Sequence, residues 1–509
     1  MAIVKVPNVG QAGIVLDLPA HELPINAWSG GLNVRFRDNC AERFKGQTQI
    51  FTSTSVSPYH IAPYQANGKR FWVHAGLSAV YADDGTTRTN ITGTAPTGGV
   101  TDYWNSGSLN GVFVLNNGKD VPMFWGGTGT LASLTGWTAG MTAKIVRPFK
   151  NYLIALDIDK SGTRYRNMVK WSAAAVPGAI PTSWDHTDVT KDAGEIDLAE
   201  ESSNIVDCLP LGDTNIIYKE RAMFAQTFIG QPYIFRFQRL PGEVGMLTSN
   251  CAAITPMGHV VLCPGDVVLH SGQGPASIAN AQVRRHIFST IDSVNYGLSF
   301  VVANPSKNEV WVCYPEAGDS ECTRAAVWNW IEKSWSFREL SAFRHAATGQ
   351  VDYAGTDLWS SSSLGWDEEI SLWNQTEFTP ADARLLIVDA NNKISMADAG
   401  TTFAGTAFGS YIERTGITLD DPQAIKTIRG IHPRFDAPNG AQIKVEIGAS
   451  MDANRPPIWS APMTFVVGSQ TKVDGFATGR FLAVRFTALD NQPHRLKSYD
   501  MDVVISGAY

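Results

Sequence analysis

From about residue 55 to residue 400 the chain repeats one local pattern: a short apolar run, a turn of Gly, Asn or Asp, then another apolar run. Examples are Arg70–Gly76 followed by Ala79–Tyr81, Gly111–Leu115 before Asn116-Asn117-Gly118, Tyr152–Leu156, and Asn215–Lys219. Leu385–Asp389 and Lys393–Met396 flank Asn391-Asn392, a pair that tolerates the positive φ of a tight hairpin. The hairpins recur every ~40 to 60 residues, the spacing of propeller blades. Runs this short cannot make long helices, and only Ala281–Ile291 carries a weak helical signal. Stacked small sheets cover one another's faces and leave only short edges, so the rhythm predicts a β-propeller; a pair of β-sandwiches is the alternative.

Tryptophan placement supports small sheets. Arg166–Ser172 ends in Trp171-Ser172, crosses a loop of small residues, and returns at Pro181–Trp184. Trp311, Trp328, Trp330 and Trp335 sit in similar strand-end positions.

Both ends read differently from the middle. Residues 1–50 form a strand and hairpin segment: Val34 and Phe36 alternate with Arg35 and Arg37, and Asp38-Asn39 turns the chain into Ala41–Phe44. Beyond Gly400–Ala407, Ile443, Val445 and Ile447 alternate with Lys444 and Glu446, as in a sheet with one wet face. The expected fold is all-β: a β-propeller over 51–405 with a loop insertion near 351–380, plus a platform-like β-sandwich over 406–509 to which the N-terminal segment also contributes.

Composition narrows function. With 44% hydrophobic and 17% charged residues, this is a folding chain and not a disordered one. The net charge of −7, with scattered Lys and Arg, argues against a tight nucleic-acid surface but permits one that nucleic acid slides past. No apolar stretch reaches the ~18 residues of a membrane-spanning helix, and no cleavable signal opens the chain. The six cysteines form no Cys-x-x-Cys pair and read as buried free thiols; Cys313 and Cys322 flank a turn-rich loop at which a disulfide is conceivable.

The search for chemistry returns little. Gly126-Gly127-Thr128-Gly129 lacks a phosphate-reaching lysine and reads as a turn. No nucleophile elbow and no metal-ligand spacing occurs; His259 and His270 read as satisfied sheet residues. Trp359, Trp366, Asp367, Glu368 and Trp373 make an aromatic and acidic loop suited to contacting a partner. Adjacent acids beside aromatics also raise glycan cleavage. Arg284, Arg285 and His286 form one basic cluster, expected at a lumen or subunit contact. No catalytic residue, metal or cofactor is expected.

In order along the chain, Trp28–Asp38 with Ala41–Arg43, Asn167–Ser172 with Pro181–Trp184, and Leu209–Glu220 resemble the tail nozzle (tail hub, tail tubular B) family of short-tailed bacteriophages. Gly258–Leu262 with Asp266–Gln273 and Arg284–Phe288, then Asn308–Trp311 through Trp328 to Ser336, extend the resemblance. It implies a non-enzymatic virion protein, made in the host cytoplasm, that forms a homohexameric ring below portal and adaptor. Its partners would be the adaptor, tail fibres, tailspikes or needle proteins, with genomic DNA passing through without sequence-specific binding. The alternative is a glycan-binding or glycan-cleaving propeller serving as a receptor-binding or depolymerase component.

Overall fold

The computed structural model describes residues 2–351 and 383–508. Just over half of them lie in β-strands and very few in helices, and the strands are arranged as a propeller and a sandwich. Each apolar run became one strand of an antiparallel sheet, four-stranded in the first five blades. Blade 1 comprises Pro58–Ala66, Lys69–Gly76, Val80–Asp83 and Arg88–Asn90. Blades 2 to 5 repeat the plan, their first strands being Asn105–Leu109, Met141–Phe149, Ile205–Leu211 and Ala252–Thr255.

A seven-stranded sheet holds two more blades, joined by one long strand, Ser334–Gln350. Its first part pairs with Cys322–Asn329 as the outer strand of blade 6, and its second part pairs with Ala383–Asp389 as the inner strand of blade 7. The change of sheet falls where Ala342 takes φ 53° and the register shifts. Five four-stranded sheets and these two blades make seven. Their inner strands touch in sequence order, and blade 7 meets blade 1. Blade 7 takes its outer strand, Gln47–Gln49, from ahead of blade 1, through Ser395↔Gln49.

The sandwich is built from both ends of the chain. One sheet contains Ala2–Val6, Val34–Arg37 and Cys40–Arg43 with Ala424–Asp436, Val473–Gly479 and Arg495–Ala508. The other joins Gly30–Leu32 to Tyr411–Ile417, Gln442–Ser450, Ile458–Trp459, Met463–Val466 and Phe481–Ala488. Phe435, Phe486, Tyr499 and Trp28 interlock between them, with Phe486 and Tyr499 rings 5.4 Å apart, edge to face. The expected hairpin at Asp38-Asn39 is present, both residues having positive φ, and so is the one at Asn391-Asn392.

Two expectations about wet faces need correction. Arg35 is 1% exposed, not solvated, because its side of the strand lies against the propeller. Glu446 is likewise buried at 9%, beneath Lys444 and Arg485. The sandwich docks on the outer strand of blade 6: the Asn33 amide donates to the Phe337 carbonyl at 2.8 Å, and its side chain accepts from the Glu339 amide at 2.9 Å. An edge that would otherwise invite pairing is thereby covered.

Behind that joint lies a buried charge cluster. Arg35 reaches Asp398 at 2.6 Å and Glu309 at 3.1 Å, and Arg338 reaches Asp398 at 3.1 Å. Asn304 and the Trp311 indole donate to the remaining carboxylate oxygens at 2.9 and 3.1 Å. Burial alone would raise the Asp398 carboxyl, yet Arg35 and Arg338 outweigh it and hold it below the usual range. Glu309 is pushed up by burial, which Arg35 only partly offsets. Phe44 lies under both guanidinium groups, 4.3 Å from Arg35 and 5.1 Å from Arg338.

Candidate functional site

Where a propeller's inner strands converge, side chains from every blade must share one axis. Here a connected polar network fills it. His60 of blade 1 bonds Ser106 of blade 2 at 2.8 Å, and Arg147 of blade 3 donates to the Ser106 carbonyl at 3.2 Å. Arg147 grips Asp207 of blade 4 through two bonds of 3.0 and 2.8 Å and also donates to Asn250, just before blade 5, at 2.8 Å. The Asn250 amide returns to Asp207 at 3.0 Å. His345 of blade 7 packs tilted against His60 with ring centroids 4.4 Å apart, accepts from the Ile61 amide, and meets Phe300 of blade 6 at 5.7 Å.

The fold dictates these identities. Asp207 is fully buried, and a buried carboxylate needs a cation and donors, which Arg147 and the Asn250 amide supply. Burial lowers both His60 and His345, the latter to about 4, and the nearby Arg147 charge adds to the effect. Both rings are therefore neutral at pH 7.

Above this plug, on the face where the inner strands begin, the axis opens into a funnel. The Tyr103 loop and the Val294–Leu298 segment meet across it. Gly297 lies so close beneath the Tyr103 hydroxyl that a Cβ there would sit 2.5 Å away, so only glycine fits without a shift. This strap divides the funnel into cavities of about 390 and 420 Å3, each within the ~300–1,000 Å3 typical of small-molecule sites.

The residues singled out from the sequence lie elsewhere. Arg284, Arg285 and His286 occupy the first turn of a helix, Arg284–Thr290, that matches the weak helical signal. They do not form one basic surface. Arg284 and Arg285 are exposed, with Arg284 3.8 Å from Asp266, whereas His286 packs edge-on against Phe337 and is lowered by burial. The amides of Arg285 and His286 are capped by Asp17. Trp359, Trp366, Asp367, Glu368 and Trp373 lie outside the described residues.

Other expectations can be placed. His259 is satisfied on both nitrogens, by Tyr218 at 2.8 Å and the Pro210 carbonyl at 2.9 Å; His270, its partner across the strands, is not, since its buried Nδ1 has no hydrogen-bond partner. Gly126–Gly129 is a turn whose last carbonyl accepts from the Trp125 indole. All six cysteines are buried and free, so Cys313 and Cys322 are not bridged. Among the described residues no group of three or more His, Cys, Asp or Glu side chains is arranged to hold a metal ion, and no helix is long and apolar enough to cross a membrane.

The axial set was missed, although it left a trace. His60, Ser106, Arg147, Asp207 and Asn250 follow one another at 46, 41, 60 and 43 residues, the blade spacing itself. Polar residues on or just before first strands, repeating at the blade period, are the signal that would have found them. No protein-family model matches this sequence, and no curated protein matches it at a significant level.

Proposed function

We propose that this chain is a structural subunit of a short-tailed phage tail, a nozzle-type component that assembles as a ring, continues a DNA conduit and anchors neighbouring tail proteins. The observation that carries this reading is the closed axis. With Arg147, Asp207 and Asn250 bonded across the propeller centre, DNA has no route through one subunit. A conduit built from this chain must run between subunits, as a ring of copies supplies. Two further features fit a wall under mechanical load. The sandwich is fastened to the propeller by buried ion pairs, and both chain ends are built into the same sheet. The net charge of −7 suits a surface that must not adhere to phosphate.

The test is negative-stain electron microscopy of phage particles carrying an affinity-tagged copy, with symmetry counted in tail end views. The expected result is a six-fold ring with an open centre that binds anti-tag antibody. A tag found on no particle, or one solitary copy per tail, would sink the proposal.

A further inference from the structure

The two funnel chambers differ in chemistry. The first presents apolar and aromatic walls, Tyr59, Trp104, Phe300 and Phe343 among them, around a few polar groups. Ser299 is 2% exposed and lines this chamber, and its hydroxyl has no hydrogen-bond partner. Glu321 and Arg344 pair at 2.9 Å on the chamber wall, and the Arg344 guanidinium lies 4.2 Å over the Tyr59 ring. Flat aromatic faces beside fixed planar polar groups are what a pyranose ring needs, since its C–H faces are apolar and its equatorial hydroxyls both donate and accept.

The second chamber is polar and carries excess positive charge. Three cations face it, Lys144, Arg164 and Arg166, against two carboxylates, Asp157 and Glu220, leaving one positive charge over. Arg164 is committed to Asp157 through bonds of 2.7 and 2.8 Å, and Glu220 accepts from Asn204 at 2.9 Å. Among the described residues the side chains of Lys144 and Arg166 have no hydrogen bond or ion pair, though the Lys144 carbonyl accepts from Asn105 and Asn116. The Lys144 ammonium instead lies 5.3 Å over the Tyr103 ring, the strap that separates the chambers. Burial lowers its pKa, with Asp157 offsetting part of the effect. A partly desolvated lysine and an exposed arginine, both with unpartnered side chains and lining one cavity, offer a carboxylate its donors.

We infer that the axial funnel binds an acidic saccharide, with a sugar ring in the aromatic chamber and its carboxylate crossing beside Tyr103 to Lys144 and Arg166. This is a binding site, separate from any hydrolytic loop, and it stands independently of the tail role.

The experiment is calorimetric titration of the full chain with three probes: a galacturonate disaccharide, the neutral galactose disaccharide, and inorganic phosphate. Lys144→Met and Arg166→Gln variants are titrated beside the parent, and thermal melts verify that they fold. The galacturonate disaccharide is expected to bind about 10-fold or more tightly than the neutral one. Each variant should erase most of that preference while leaving the neutral affinity unchanged. The inference is overturned if neither sugar binds, if both bind equally, or if the variants keep the parent's preference. It is also overturned if phosphate binds as tightly as the uronate and displaces it, since the chamber would then be an anion site without a sugar subsite.

Discussion

Arg35 and Asp398 are 363 residues apart in sequence, and their side chains meet at 2.6 Å, both buried, where the N-terminal strand crosses the end of blade 7. Neither can lose the other cheaply. Removing one partner of a buried ion pair leaves an uncompensated charge and costs about 3–5 kcal/mol. Arg35→Met is therefore expected to lower the melting temperature strongly, and adding Asp398→Asn should cost much less than the sum of the two single changes. A double-mutant cycle in thermal melts measures this, and near-perfect additivity would contradict it.

Acid should loosen the seam between blades 7 and 1. The folded-state pKa of His345 is depressed to about 4, and that of His60 is also well below 6.5. Between those values the unfolded chain holds more protons than the folded one, so stability falls as pH falls. The contribution is complete above about 6.5 and is lost as pH drops towards 4. Melting curves across that window should be steeper for the parent than for His345→Gln, which keeps an acceptor for the Ile61 amide. Parallel pH profiles would refute the assignment.

Gly194 is held by Trp171. A Cβ at 194 would lie 2.2 Å from the indole, whose N–H donates to the Asp192 carbonyl at 2.8 Å. Gly194→Ala should displace the ring and cost about 1–3 kcal/mol through overpacking. The expected readouts are a red-shifted Trp emission and a lower unfolding midpoint in urea; an unchanged spectrum with parent stability would count against this packing.

Thiol reactivity offers a simple check on the core. All six cysteines are buried and free, and burial pushes Cys208 up to about 12. Ellman's reagent should find almost no reactive thiol in the folded chain and six after denaturation without reductant. Four after denaturation would indicate a disulfide and contradict six free thiols, Cys313 and Cys322 included.

The sequence displayed the blades because each must bury both sheet faces using only short apolar runs, and Gly, Asn and Asp mark where those runs turn. It also displayed the alternation of Ile443, Val445 and Ile447, all buried. It misled at Arg35, where the polar face of a half-buried strand was covered by a second body docked from far along the chain. Period-2 patterning distinguishes two faces, but it does not say whether water or protein lies against the polar one. The axial network was hidden for a related reason: its members His60, Ser106, Arg147, Asp207 and Asn250 come one per blade, and no local window contains two of them. The Trp171–Trp184 stretch was visible as a signature, yet its role is internal: Trp171 covers an edge-strand glycine, and Trp184 is fully buried against Trp137.

The pairing of Gln47–Gln49 with Ile394–Ala397 sets the order in which a nascent chain can mature. The ribosome releases Gln49 long before Ser395 exists, so the leading segment must wait, unpaired, through the synthesis of six blades. A copy interrupted anywhere in between leaves Gln47–Gln49 without its partner strand and the circle of blades unclosed. Closure thus comes in two steps: a polypeptide that has passed residue 397 can complete blade 7, and only one that has reached Arg495–Ala508 can pair its own leading strand Ala2–Val6.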